Sequence, residues 1–286
     1  MKNLDEFKRF LMKSEFSSNT INCYLRDVKV FLQQLHKEVA QLDEFDLLAY
    51  KQVLLKKEAS VITVNRKLAS INTFCRYLYA EKEEVLEQYH VKLIKNRDKP
   101  EYKGIQQEMS PLLKELVYKS KKPLHICILE VLLGTGIRVS ELVDLNLKDV
   151  VFSETNVSLS ETRGYIRILG KGMVNRTLAM NHQVETAIKE YLKVRKQTDS
   201  NRLLIGQRGA LGRGAVEIIL KNYGKQLNMD LTPHMLRHTV GYQLVKKNTP
   251  MTTIQQILGH ESILTTNLYT QTTEQDKADA LYSLVW

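Results

Sequence analysis

Between Val91 and Gln107 the apolar periodicity that organises residues 1–90 fails, and this break most constrains how the chain can fold. Pro100 and Gly104 interrupt the stretch, while Lys92, Lys95, Arg97, Lys99 and Lys103 crowd it with positive charge. Such a segment buries too little to join a core, so an exposed basic linker is expected at 91–107. A chain of 286 residues cut there gives two ordinary domains, 1–90 and 108–286.

The first domain reads as helical. Ser18-Asn19 can cap a helix whose apolar residues Tyr24, Val28, Phe31, Leu32 and Leu35 recur every three or four positions. Leu42 to Leu55 gives a second helix behind the acidic start Asp43-Glu44, which suits a helix N-terminus. Ser60 precedes a third, with Leu68, Ile71, Phe74 and Leu78 on one stripe and Arg66, Lys67 and Arg76 on the opposite face. A Lys/Arg helix face is most often simply solvated, so spacing alone makes DNA contact the lesser reading for these three. The linker cations Lys95, Arg97 and Lys99 are candidates for tracking a phosphate backbone where two domains clamp a duplex.

The second domain begins with a helix expected at Ser110-Pro111, a good N-cap followed by a residue suited to the first turn. Pro123 to Leu133 is a strongly apolar helix that Gly134-Thr-Gly136 ends, and Val139 to Leu145 reads as a short helix after it. From Val157 to Met180 the period becomes two. Tyr165–Leu169 and Val174–Leu178 form an expected hairpin around Gly170-Lys-Gly172. Helices are expected again after Asn181, over Ala215–Gln226, Pro233–Val245, Thr253–Leu258 and Ile263–Tyr269, and from about Glu274 to Trp286. The fold class is therefore mainly α with a small β-sheet.

Composition narrows the function classes. Hydrophobic residues make up 43% and charged ones 26%, the balance of a globular protein in water. No apolar run approaches the roughly 20 residues of a membrane span, and the acidic start lacks the pattern of a signal peptide, so a cytoplasmic location is expected. The net charge is +10, with 18 Lys and Arg against 14 Asp and Glu in residues 1–100 and 24 against 18 in the rest. Both of these stretches are basic, which fits a polyanion held along much of the molecule; charge alone weighs that evenly against ordinary solubility. Cys23, Cys75 and Cys127 lie far apart in apolar surroundings and read as small buried hydrophobes, with no zinc spacing and no disulfide framework.

The chemistry-bearing groups gather towards the C-terminus. Thr232 is an expected N-cap and Pro233 the first helical residue, so His234, Arg237 and His238 fall at i, i+3 and i+4 on one face. A helix N-terminus favours anions, and a guanidinium with an imidazole there makes an oxyanion site. Two histidines four apart also suit zinc, but Met235 stands where a zinc peptidase needs glutamate, which puts the metal reading well below the phosphate one. Arg138 follows the glycines at a helix start with Glu141 three residues on, and Lys171 tips the Gly-Lys-Gly turn. Each alone is weak: a surface helix start and an idle turn lysine are the commoner explanations. His260 after Leu258-Gly259 has a capping role as its plain alternative, and Tyr269 continues the stripe of Ile263 and Leu268, as a packing tyrosine would.

Taken together, Thr135-Gly-Ile-Arg-Val-Ser-Glu-Leu142, Gly170-Lys-Gly172, His234-Met-Leu-Arg-His238, Leu258-Gly-His260 and Thr266-Asn-Leu-Tyr-Thr270 resemble the tyrosine recombinase (phage integrase) family, Xer-like or transposon-resolvase type. The five motifs occur in the family's order, and the helical first domain resembles its core-binding domain. Gln271, where relatives often carry histidine, is one departure outside the chemical set. The resemblance implies a two-domain enzyme with a mixed α/β catalytic domain. It implies bacterial, site-specific recombination of double-stranded DNA with inverted-repeat core sites. A monomer or dimer would occupy each site, and a homotetramer would assemble on two of them without metal, ATP or other cofactor. Tyr269 is the implied nucleophile, forming a 3′-phosphotyrosyl link. Arg138 and Arg237 are the implied oxyanion clamp, His234 the base, Lys171 the acid, His260 a phosphate hydrogen-bond donor and Glu141 an orienting residue for Arg138 or His234. Without a further domain ahead of the first helices, the pattern looks like members that resolve transposon cointegrates or replicon dimers, with integration and excision also open. A non-catalytic DNA-binding protein on this scaffold and a type IB topoisomerase-like enzyme are the alternatives.

Overall fold

The computed structural model describes residues 2–35, 38–57, 60–82, 89–95, 104–105, 108–153, 164–169 and 175–259. The chain separates into two compact units, Met1–Lys99 and Pro100–Trp286. In the first, α1 (Lys2–Lys13), α2 (Ser18–Gln34), α3 (Glu44–Lys56) and α4 (Val61–Tyr77) are helical, and a π-helical turn over Leu78–Lys82 extends the last.

Side chains fix where these helices start. Ser60 Oγ accepts from Thr63 N–H, and Asp43 and Asp46 cap each other's backbone N–H at 3.0 Å, as the acidic start of the second expected helix implied. The cap of α2 is Ser17 rather than Ser18-Asn19. Its backbone is extended (φ −62°, ψ 148°), which aims Oγ at Thr20 N–H while Ser18 is already helical. Phe7 of α1 packs edge-on against Phe74 of α4 at 5.1 Å, and α2 packs along α4 through Val28, Phe31, Leu68 and Ile71.

The stretch after α4 does not leave the helix surface at once. Asn72 pairs with the N–H and C=O of Val91, and Asn65 does the same with Ile94, each bond 2.8–2.9 Å long. Two helical turns separate the asparagines, so one face of α4 carries both amides and holds 91–94 like an added strand. Val91, expected in an exposed linker, is 2% exposed.

The second unit opens with α5 (Met109–Lys119), one residue before Ser110-Pro111. Pro111 sits within the first turn, where its missing N–H removes nothing the helix would have used. Then follow α6 (Pro123–Thr135), α7 (Val139–Asp144), β1 (Val150–Val151), β2 (Tyr165–Leu169), β3 (Asn175–Ala179) and α8 (His182–Val194). The short β4 (Ile205–Gly206) and β5 (Gly209–Ala210) precede α9 (Arg213–Gln226), α10 (Pro233–Lys246) and α11 (Met251–Leu258). Helix α6 is the core: every residue from Cys127 to Leu132 is buried, with α8 on one side and α10 on another. Gly134, expected to help end this helix, lies within it, and the stop is Gly136 in the left-handed region (φ +66°).

Strands β2 and β3 pair antiparallel from Tyr165↔Ala179 to Leu169↔Asn175, and β1 adds a third, unexpected strand beside β2. Ile166 and Ile168 turn inward while Arg167 and Leu169 face outward, the alternation that distinguished this region in the sequence. The Gly170-Lys-Gly172 turn and the two C-terminal helices expected beyond His260 lie outside the described residues. Among the described residues no helix is long and apolar enough to cross a membrane. The architecture is mainly helical with two small sheets among the described residues, β1-β2-β3 and the β4-β5 pair.

Candidate active site

The site is built where α6 and α11 end and α7 begins. Gly136 closes α6, and its positive φ turns the chain so that Arg138 becomes the N-cap of α7, with extended backbone (φ −71°, ψ 148°). Glu141, in the first turn of α7, accepts from Arg138 N–H (2.7 Å) and from Arg138 Nη1 (3.1 Å). Helix α11 ends at Gly259, also left-handed (φ +63°), exposing the last carbonyls of the helix.

Those carbonyls are where the arginines meet. Arg138 Nη2 donates to Gly259 O (2.6 Å), and Arg237 Nη2 donates to Leu258 O (2.6 Å). Arg237 Nη1 also donates to Gly136 O (2.8 Å). The C-terminal end of a helix carries partial negative charge, so it holds guanidinium groups without cancelling them as a full carboxylate would. The two arginines differ in access. Arg237 is 4% exposed and fixed at both ends of its fork, whereas the Arg138 side chain is 41% exposed.

A third arginine, absent from the sequence-based set, completes the arrangement. Arg176 of β3 donates Nη1 to Glu141 Oε1 (2.9 Å), Nη2 to Glu141 Oε2 (2.8 Å) and Nε to Ile257 O (3.1 Å). The sequence did hold a signal for it. Period-two alternation puts Arg176 on the same strand face as the buried Leu178, and a lone arginine on an inward face implies a buried acid partner. Burial would raise the Glu141 carboxyl. The Arg176 hydrogen bonds, the Arg138 N–H and the charges of both guanidinium groups outweigh it and hold the carboxyl below its ordinary range. Glu141 is thus a saturated anion turned to Arg138, and its four hydrogen bonds come from Arg138 and Arg176.

Helix α10 begins as expected, Thr232 Oγ1 accepting from Met235 N–H and Pro233 in the first turn. One turn in, His234 Nε2 and His238 Nε2 approach to 2.8 Å with rings nearly perpendicular. Which nitrogen donates and which accepts depends on the tautomer of each ring. Among the described residues no group of three or more metal-ligating side chains is assembled.

Arg138, Glu141 and Arg237 are therefore brought together, with His234 in the first turn of α10, which also carries Arg237. Lys171, His260 and Tyr269 lie outside the described residues, although His260 directly follows Gly259 in the chain. In the first unit, Arg66 is committed to the buried carboxylate of Asp27, which Ser70 Oγ also reaches at 3.3 Å. Lys67 is half-buried, and Lys95 is exposed. Arg76 is exposed and stacks over Phe10 at 5.7 Å. Arg97 and Lys99 lie outside the described residues.

Residues 105–276 match the Phage integrase family, and residues 4–82 match the Phage integrase N-terminal SAM-like domain. The chain belongs to the phage integrase family. Among its relatives, tyrosine recombinase XerC of Roseiflexus castenholzii is 35% identical over 170 residues, covering 55% of this chain and 51% of that protein. XerC of Pediococcus pentosaceus is 29% identical over 291 residues, covering 94% and 93%. For relatives above 30% identity the chain spans about half the length of the protein matched. The fold also matches the Tn1549 transposon integrase solved in complex with circular intermediate DNA, with a TM-score of 0.73, 19% identity and 98% of each chain covered. At that identity the likeness is one of fold. Arg138, Arg237 and the histidines of α10 all lie within the matched residues 105–276.

Proposed function

We propose that the protein is a site-specific DNA recombinase that breaks and rejoins double-stranded DNA through Tyr269. The observation that carries this reading is the convergence of the Arg138 and Arg237 guanidinium groups on successive carbonyls at the end of α11. One group is buried and rigid, the other accessible, and the next residue in the chain is His260. Two aligned cations suit a phosphodiester whose non-bridging oxygens gain charge during displacement.

In the proposed step the Tyr269 oxygen attacks phosphorus and a 3′-phosphotyrosyl bond forms. The bond to the 5′-oxygen breaks, and that oxygen leaves as a hydroxyl. A free phenol has a pKa of about 10, so its proton needs an acceptor at neutral pH; a neutral imidazole at His234 serves. Lys171 protonates the departing 5′-oxygen, and His260 donates a hydrogen bond to the phosphate. Arg138 and Arg237 stabilise the developing charge, each donor on the order of 3 kcal/mol. The phosphotyrosyl bond conserves the energy of the cleaved linkage, so the reverse attack by a new 5′-hydroxyl needs neither metal nor ATP. A homotetramer on two inverted-repeat sites, exchanging strands in two rounds through a Holliday junction, follows from one nucleophile per strand. The first domain and the basic segment after it are proposed to face DNA through Lys67, Arg76, Lys95, Arg97 and Lys99, whereas Arg66 compensates the buried Asp27. Resolution of transposon cointegrates or replicon dimers in the bacterial cytoplasm is the proposed role. The relative named tyrosine recombinase XerC, which spans nearly the whole chain, supports the recombinase reading.

The test is a nicked suicide substrate carrying the cognate site. Wild type should trap a covalent protein–DNA adduct, and Tyr269→Phe should abolish it while binding the site within about threefold. Adduct persisting in Tyr269→Phe refutes the nucleophile. Wild type that binds its site and never forms adduct identifies a DNA-binding protein. Relaxation of plasmids without a site, by monomer, identifies a topoisomerase.

A further inference from the structure

We propose that Arg176 is a positioning residue for strand cleavage, acting on the scissile phosphate through Glu141 and Arg138. The proposal rests on the recombinase reading above and adds a residue to it. Arg176 is the one side chain described that ties β3, α7 and the end of α11 together. Its fork grips both Glu141 oxygens, its Nε holds Ile257 O, and its side chain is only 12% exposed. In the sequence Lys171 stands four residues before β3, Arg138 is the N-cap of α7, and His260 directly follows Gly259, the C-cap of α11.

The charge balance explains why a second arginine is needed. Glu141 alone would orient Arg138 but also neutralise it, leaving little net attraction for a phosphate. With Arg176 on the same carboxylate the three-residue cluster keeps a net positive charge, and the exposed member, Arg138, presents it. The geometry is tight as well. A Cβ at Gly259 would stand 2.8 Å from Arg176 Nη1, so the glycine that ends α11 also admits this guanidinium. Loss of the fork lets Glu141 rotate onto Arg138 alone and loosens the turn that both arginines grip. A displacement of about 1 Å at a clamp can cost about a hundredfold in rate.

The experiment uses full-length protein on the nicked suicide substrate, with Arg176→Ala, Arg176→Lys, Arg138→Ala and the Arg138/Arg176 double alanine variant. Single-turnover adduct formation at saturating DNA, site affinity and melting temperature are measured for each. Arg176→Ala should cleave about a hundredfold more slowly at saturation, with affinity within about threefold of wild type. The double variant should be little slower than Arg138→Ala, because both losses pass through one guanidinium. Arg176→Lys keeps the charge but not the fork, so it should recover melting temperature and still cleave slowly. On a scissile methylphosphonate, which lacks the charge the clamp neutralises, the Arg176→Ala deficit should shrink as that of Arg138→Ala does. Wild-type cleavage by Arg176→Ala, full recovery by lysine, or losses that multiply in the double variant each overturn the proposal. So does a deficit that follows the unfolded fraction and is unchanged on methylphosphonate. Those results leave the recombinase reading intact, whereas a wild type that makes no adduct on its site overturns both.

Discussion

Arg66 shows how a residue on a basic face can be tied to the interior. Its guanidinium pairs with Asp27, whose side chain is 3% exposed, so the charge that looked solvated compensates a buried carboxylate. Removing it strands that carboxylate, and Arg66→Ala should lose about 3 kcal/mol in a urea melt. Equal midpoints for variant and wild type would show that the pair contributes nothing net. Glu141 predicts a pH effect with a defined sign. Its folded carboxyl is held below the ordinary range, so it binds fewer protons folded than unfolded. The stability it contributes is complete above the ordinary carboxylate range and is lost as pH falls through the lower folded value. Glu141→Gln carries no such contribution, so its stability should fall less steeply than that of wild type between about pH 5 and pH 3. Identical slopes in acid titration melts would remove the cause assigned here.

At the scale of elements, helix ends do the positioning. Gly136 and Gly259 are both left-handed stops, and each places a carbonyl under an arginine. A Cβ on Gly136 would stand 2.8 Å from Leu258 Cδ2 and 3.0 Å from Val240 Cγ1, so α10 and α11 close against this turn. Gly136→Ala should therefore cost at least 1–2 kcal/mol from backbone conformation alone. It should also slow cleavage, because the carbonyl that seats Arg237 shifts. A denaturant midpoint matching wild type would show that the turn tolerates a side chain. The asparagine pair of α4 makes the same point about docking. Asn65 and Asn72 satisfy the backbone of Ile94 and Val91, and two polar residues at helical spacing do not announce in sequence that a distant segment will lie across them.

For the whole molecule, the +10 charge is spread over two basic units, so binding should be dominated by phosphate contacts. Six or more such contacts imply that log K falls with log salt at a slope of about −5 or steeper. Fluorescence anisotropy between 50 and 200 mM salt tests it, and a slope shallower than about −2 would remove the extended interface. The sequence by itself determined the two-unit division of periodicity, the helix and hairpin order, and the residue types of the arginine–histidine set, because capping, period and turn chemistry act over a few neighbours. Even there it misjudged the starts of α2 and α5 and missed α1, the β4–β5 pair and β1, whose partner residues lie 14 to 16 positions further along the chain. Only the tertiary structure decided that Arg138 and Arg237 seat on one helix end, that Glu141 serves two arginines, and that Arg66 faces a buried acid. The long-range pairings among these join residues from 21 to 121 positions apart, and a hydrogen-bond partner at such separation is set by how helices pack rather than by any local pattern.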